Sequence, residues 1–214
     1  MESPIEAYLD GRKLAMARMQ DRIIELIYEQ VQPDAVLYGG TAVWRCFGGG
    51  RFSEDIDIYV GKGFESRLRN SLRSGELGVV SQEPGFPLNM RISDGSAEIL
   101  LKAKAAGTPA AVISQYMRVD GSSMTISTLS AAELMVRKIE AYEGRQYIRD
   151  IYDIVQLTNH VAKDDYYVNS KLGPFLKSIN GPIDSAILKS LVYKGKAMSF
   201  HEMKEYLIRW SGEV

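Results

Sequence analysis

Two aspartates, Asp55 and Asp57, stand one residue apart in the run "DIDIYV". The alternation and the β-branched residues mark this run as a strand. Residues two apart on a strand share a face, so Asp55, Asp57 and Tyr59 project together while Ile56, Ile58 and Val60 take the other side. Two carboxylates held that close call for a cation, or for a raised pKa on one of them. A hard divalent cation is the common solution. Mg²⁺ takes one or two protein carboxylates and completes its shell with water and substrate phosphates. Ahead of the pair lies Gly39-Gly40, between a strand-like "AVLY" and a helix-like "TAVWRCF". Lacking Cβ atoms, these glycines let backbone N–H groups approach a phosphate at the positive end of a helix. Strand, glycine turn, helix and acidic strand together place a phosphate cradle beside a metal pair. The reaction class this arrangement suggests is phosphoryl or nucleotidyl transfer with two-metal catalysis. A D-x-D alone is often a polar strand edge, and Gly-Gly alone is often a turn. Together, with Arg51 and Ser53 just before the acids, they are a more specific signal.

Other elements must position these residues. Ser3-Pro4-Ile5-Glu6 has the spacing of a capping box. A helical pattern follows, broken or bent near Gly11, with Met16, Met19, Ile23, Leu26 and Ile27 at three- and four-residue spacing. Pro33 ends it. "FESRLRNSLRSGE" reads as an exposed basic helix. Strands follow in "LGVV", "NMRIS", "SAEILLKA", "VISQYMRV" and "MTIST", with Asp94-Gly95 and Asp120-Gly121 as hairpin turns. From Ser130 the chain reads as helical. Ser130 and Glu133 form a second capping box, opening a helix that Gly144 closes. "QYIRDIYDIVQLTNHV", "GPIDSAILKSLVYK" and "SFHEMKEYLIRW" supply further helices, the last with Ser199 and Glu202 at capping-box spacing. The expected plan is an α/β region over 1–129 and a helical region over 130–214.

The stretch "GGTAVWRCFGGGRFSEDIDIYV" resembles the glycine-turn and D-x-D signature of the DNA-polymerase-β-like nucleotidyltransferase superfamily. Its form is similar to the AbiEii family, toxins of toxin–antitoxin and abortive-infection systems that include the MenT-type toxins. The resemblance implies an α+β fold: a polymerase-β-like core, with a mixed sheet flanked by helices, then a helical C-terminal region contributing active-site residues. By the same resemblance Gly39, Gly40 and Thr41 bind the phosphates, and Asp55 and Asp57 hold Mg²⁺, with Mn²⁺ as a substitute. Ser53 matches a serine of the motif, and Arg51 an arginine that could steady the triphosphate. The family pattern then asks for a lysine on a later helix, an arginine and an R-D-x-x-D segment. "LSAAELMVRKIEAYEGRQYIRDIYDIV" supplies Lys138, Arg145 and Arg149-Asp150-Ile-Tyr-Asp153. Asp150 and Asp153 share a helical face, and a lysine is a compact point charge suited to a triphosphate. Lys138 and Asp150 are expected in the active site, with Asp153 as the alternative acid. Arg149 and Asp153 also have the spacing of an ordinary i,i+4 ion pair, and for Arg145 a structural reading stands beside the functional one.

Polymerase-β-like enzymes that extend a hydroxyl use a third acid on a neighbouring strand. Asp120 precedes a glycine, so turn chemistry explains it. Glu98 interrupts an apolar strand and is the favoured candidate, although it could instead face solvent, paired with Lys102. The implied activity is transfer of a nucleoside monophosphate from an NTP to an acceptor such as the 3′ end of tRNA, with a cognate antitoxin as partner. The alternatives are a small-molecule nucleotidyltransferase of the antibiotic-modifying kind and a catalytically idle protein binding RNA or antitoxin. A haloacid-dehalogenase-like phosphatase would want a threonine where Tyr59 stands.

Composition excludes little more. Lys and Arg total 26 against 27 Asp and Glu, so bulk charge names no partner, and a nucleic-acid binder would depend on a local patch such as Arg67, Arg69, Arg73, Lys102 and Lys104. Cys46 is the lone cysteine, which fits a reducing compartment. No apolar run approaches a membrane span. The opening "MESPIEAYLDGRK" does not read as a signal peptide. A soluble cytoplasmic protein is expected.

Overall fold

A computed structural model describes residues 3–73, 76–83, 87–105 and 110–212; the Arg73 side chain lies outside that description. The chain divides into two compact units. One comprises the residues up to Cys46 together with Ser53–Leu129; the other comprises Phe47–Phe52 and the residues from Ser130 onward.

The first unit is built on one seven-stranded sheet, ordered β3-β4-β5-β2-β1-β7-β6. Its strands are β1 (Val36–Tyr38), β2 (Ile56–Val60), β3 (Gly78–Gln82), β4 (Leu88–Ser93), β5 (Glu98–Ala105), β6 (Ala111–Met117) and β7 (Ser123–Leu129). β1 runs antiparallel to β2 and parallel to β7. β2 runs parallel to β5, with Asp57 opposite Lys102. The two expected hairpins are the β4–β5 and β6–β7 pairs. Alternation along β2 is as the sequence indicates: Ile56, Ile58 and Val60 are buried, as are Ile99, Leu101 and Ala103 on β5. Helix α1 (Gly11–Leu26) packs on β5, and α2 (Gly39–Cys46) packs on β1, β2 and β6. A last widened turn extends α1, the Gln32 N–H bonding the Ile27 carbonyl at 2.7 Å. Helix α3 (Phe64–Arg73) follows the far end of β2.

The second unit is helical: α4 (Ala131–Arg145), α5 (Ile148–Leu157), α6 (Tyr166–Ser178), α7 (Leu188–Leu191) and α8 (Phe200–Ser211). α4 packs on α5 and α6, and both of these pack on α8. The segment 47–52 is held by backbone bonds to 191–194. The Phe52 N–H bonds the Leu191 carbonyl at 2.8 Å, and the Tyr193 N–H bonds the Gly50 carbonyl at 3.0 Å. A Cβ on Gly50 would lie 2.3 Å from the Lys194 carbonyl oxygen, which accounts for one glycine of the Gly48-Gly49-Gly50 run.

Several expected helix ends move. The Ser3 box does not form: Pro4 precedes a single 3₁₀ turn, Ile5–Ala7, and Glu6 instead accepts from Arg18. Helix α1 then begins at Gly11. Gly144 lies inside α4, and Gln146 takes the left-handed terminal position with φ +53°. The segment 185–191 holds only a 3₁₀ turn and the one-turn α7. Helix α6 carries Pro174 inside it, so its Gly173-Pro174 is not the break that dipeptide usually marks. Ser130 caps α4 by accepting the Glu133 N–H, and Ser199 with Glu202 forms the full capping box.

Candidate active site

The loop that enters β2 is fastened by buried polar side chains. On α1, the Gln20 amide donates to the carbonyls of Ser53 at 2.7 Å and Glu54 at 3.0 Å. On α2, the Thr41 hydroxyl donates to the Asp55 carbonyl at 2.5 Å. Both side chains are wholly buried, and leaving such carbonyls unpaired in the interior is costly. These bonds fix the backbone that carries the two acids. Thr41, expected at a phosphate, therefore has its hydroxyl engaged with the strand, and Ser53 is buried in the same loop.

Gly39 serves the site twice. Its φ of +76° is unfavourable for any side chain, and a Cβ there would lie 2.6 Å from Asp57 Oδ2. The glycine lets the Asp57 carboxylate rest against the first turn of α2. Gly40, next in that turn, is buried. Asp57 stands opposite Tyr38 on β1 and Lys102 on β5, and Asp55 is the residue just ahead of β2. Lys102 Nζ donates to Asp55 Oδ2 at 2.5 Å, and both side chains are a little over one-third exposed. Tyr38 and Tyr59 stack on the same face at 4.3 Å between ring centres.

Glu98 is not brought to the aspartates. It opens β5 opposite Ser93, is exposed, and lies four residues, about 13 Å, along the strand from Lys102. The basic residues split in the same way. Lys102 and Lys104 share the sheet face of the acids, Lys104 Nζ standing 5.6 Å from the Tyr38 ring centre. Arg67 is committed elsewhere, donating to the Val31 and Lys62 carbonyls and to Gln32; Arg69 bonds Glu65 and Gln82.

In the second unit the remaining expected residues form one ion network. Lys138 Nζ lies 3.1 Å from Asp150 Oδ1 and 2.6 Å from Asp153 Oδ2. Arg51 clasps Asp153 with Nε at 2.6 Å and Nη2 at 2.5 Å, and its Nη1 donates to the Phe52 carbonyl. Arg145 clasps Asp150 with Nε and Nη2, both at 2.8 Å. Burial pushes the Asp150 carboxyl up, but the Arg145 hydrogen bonds and the Lys138 charge outweigh it and hold the group below the usual carboxylate range. For Arg51, burial opposes the charge, and Asp153 more than restores it. The i,i+4 pair expected between Arg149 and Asp153 gives way to these contacts; the Arg149 guanidinium instead lies 5.2 Å from the Tyr147 ring centre. Arg51, expected at a triphosphate, has all three guanidinium nitrogens engaged within this unit.

Gln20 and Lys102 are the two residues whose roles the sequence did not reveal. Gln20 left a signal, since it falls four residues after Met16 on the apolar stripe of α1. Lys102 left none, because its partner depends on the pairing of β2 with β5.

A mixed sheet carrying a glycine turn against a two-aspartate strand defines a nucleotidyltransferase fold. The chain belongs to the AbiEii nucleotidyltransferase family: the family model described as "Nucleotidyl transferase AbiEii toxin, Type IV TA system" matches residues 25–193. It is a nucleotidyltransferase enzyme of that toxin family. Among solved structures it is similar to MenT4, the nucleotidyltransferase toxin Rv2826c of Mycobacterium tuberculosis H37Rv, at 18% identity and a TM-score of 0.66, covering 94% of this chain and 82% of that one. It is also similar to JHP933 of Helicobacter pylori, at 18% identity and a TM-score of 0.65, covering 95% and 92%. The antibiotic-resistance factor ANT(2'')-Ia shares the fold at 11% identity and a TM-score of 0.52, covering 77% and 93%. No curated protein matches in sequence. Among the described residues no helix is long and apolar enough to cross a membrane.

Proposed function

We propose that the protein transfers a nucleoside monophosphate from an NTP to an RNA acceptor, such as the 3′ end of tRNA, in a Mg²⁺-dependent reaction restrained by a cognate antitoxin. The observation that carries the reading is the seating of Asp57 against Gly39, with Asp55 just ahead of the strand and bonded to Lys102, the cross-strand partner of Asp57. Adjacent carboxylates with no room for a Cβ behind them are a hard-oxygen donor set that suits Mg²⁺. When bound there, the ion neutralises the triphosphate and stabilises the leaving pyrophosphate. The chain's own part is to fix those carboxylates through Thr41, Gln20 and Gly39, and to offer the α2 amides to phosphate oxygens. Glu98, placed away from the acids, has no part in this reading, and neither does Arg51 as a phosphate ligand. Of the second unit we propose only that transfer requires Lys138 and Asp150.

The test is incubation with each labelled NTP, Mg²⁺ and total RNA, followed by a gel, with an aminoglycoside panel in parallel. Label on RNA is expected. Label on an aminoglycoside alone would replace the acceptor with a small molecule. Asp57→Ala should lower transfer by roughly 10²–10³-fold or more, the scale of removing one electrostatic stabiliser, with circular dichroism unchanged. Full transfer by that variant would refute the mechanism.

A further inference from the structure

The pairing of β2 with β5 puts a lysine beside the two acids. Lys102 is the direct cross-strand partner of Asp57 and bonds Asp55 Oδ2 at 2.5 Å. Its neighbours on that face of β5 are Leu100 and Lys104, and across on β4 stands Asn89. Among the described residues, no third carboxylate, histidine or cysteine joins Asp55 and Asp57 in a group able to hold a metal.

Two facts about charge follow. Without nucleotide, a second divalent ion would have only protein oxygens and water to hold it, and β5, the strand beside the acids, offers an ammonium at the position facing them. An ion placed near Asp55 would also meet the repulsion of that ammonium, which at a few ångströms is large even with solvent screening. An exposed lysine–carboxylate pair is worth little to stability, so the contact is poorly explained as a fold stabiliser.

We infer that the Asp55–Asp57 pair of the nucleotide-free protein takes one divalent cation, not two, and that Lys102 supplies the positive charge a second ion would bring. The inference rests on the proposed reading of the aspartates as a cation site, and the experiment separates the two.

The probe is Mn²⁺ alone, titrated into the full chain without nucleotide and counted from the solution electron paramagnetic resonance signal lost on binding. Wild type should bind one Mn²⁺ per chain. Lys102→Met should still bind one, on the order of tenfold more tightly, because a repelling charge is gone. Lys102→Glu should bind two, and its melting temperature should rise on adding Mn²⁺ as the clustered carboxylates are neutralised. Two ions on the wild type would overturn the inference and leave the cation site standing. One ion on Lys102→Glu, or unchanged affinity in Lys102→Met, would also overturn it. No binding by the wild type, or binding undiminished in Asp57→Asn, would remove the cation site itself and the inference with it.

Discussion

Two carboxylate pairs in the molecule handle charge in opposite ways. In the first, Asp55 and Lys102 meet with more than a third of each side chain exposed, on a strand face that also carries Asp57. In the second, Asp150 and Asp153 are almost wholly buried among Arg51, Lys138 and Arg145, and each carboxylate is clasped by an arginine. A carboxylate in the first setting can exchange its partner for a ligand at little cost. One in the second cannot, because parting it from its partners leaves a charge stranded in the interior. The first arrangement suits binding, and the second suits holding a lysine in one place. Conserving charge type along a sequence motif therefore says nothing about which of these jobs a residue does; the surroundings decide it.

The sharpest way to break this contrast is to remove one acid from each setting. Asp153→Ala leaves Arg51 and Lys138 without a shared partner and should destabilise the second unit by about 3–5 kcal/mol. Asp55→Asn should cost less than about 1 kcal/mol, as exposed pairs do, while abolishing most transfer. Urea midpoints for the two variants, read beside transfer assays, check both halves. Equal destabilisation would mean that the exposed pair is structural after all.

A smaller effect separates backbone strain from site geometry. Gly39 and Gly48 both have positive φ, +76° and +67°, but a Cβ on Gly48 meets nothing within 4 Å. Alanine at either position should cost about 1–2 kcal/mol for the left-handed backbone. Only Gly39→Ala should also displace Asp57 and lose transfer. If Gly48→Ala lost transfer equally, the glycine turn would owe its role to the backbone alone.

The same contrast governs what could be read from the sequence. Local regularities were legible: the period-two alternation of Ile56, Asp57, Ile58, Tyr59 and Val60, the Gly39 turn, the hairpins at Asp94-Gly95 and Asp120-Gly121, and the caps at Ser130 and Ser199. Each depends on residues a few positions apart. The partners of the charges were not legible. Lys102 reaches Asp55 across 47 positions, and Arg51 reaches Asp153 across 102. Local spacing instead suggested Lys102 with Glu98 and Arg149 with Asp153, and tertiary packing overrode both. Helix α6 was legible only as part of a helical region, with no bounds: Gly173-Pro174 is a poor local helix signal, yet Val168, Leu172, Phe175 and Leu176 bury one side of it. That packing outweighs a poor local propensity.

The smallest effect concerns pH, and it compares two buried acids of opposite character. Asp150 is held below the usual carboxylate range, as described above. Asp21, on α1, is shifted the other way. Burial pushes its carboxyl up, and the Arg45 charge, the Val119 N–H and the Tyr116 hydroxyl only partly offset this. The signs follow from which state holds the proton more tightly. Asp150 contributes stability that is complete above the unfolded carboxylate value of about 4 and is lost as pH falls through its lower folded value. Asp21 contributes in the reverse sense: the native state gains as pH falls toward about 4, and that gain is lost as pH rises through its raised folded value. The stability gap between wild type and Asp150→Asn should therefore hold steady from pH 7 to 5 and narrow below about 4. The gap for Asp21→Asn should move toward favouring the wild type as pH falls toward about 4. Urea midpoints at half-unit steps of pH read both slopes, and parallel slopes would show that the arginine clasp in the second unit does not set Asp150 apart from an ordinary buried carboxylate.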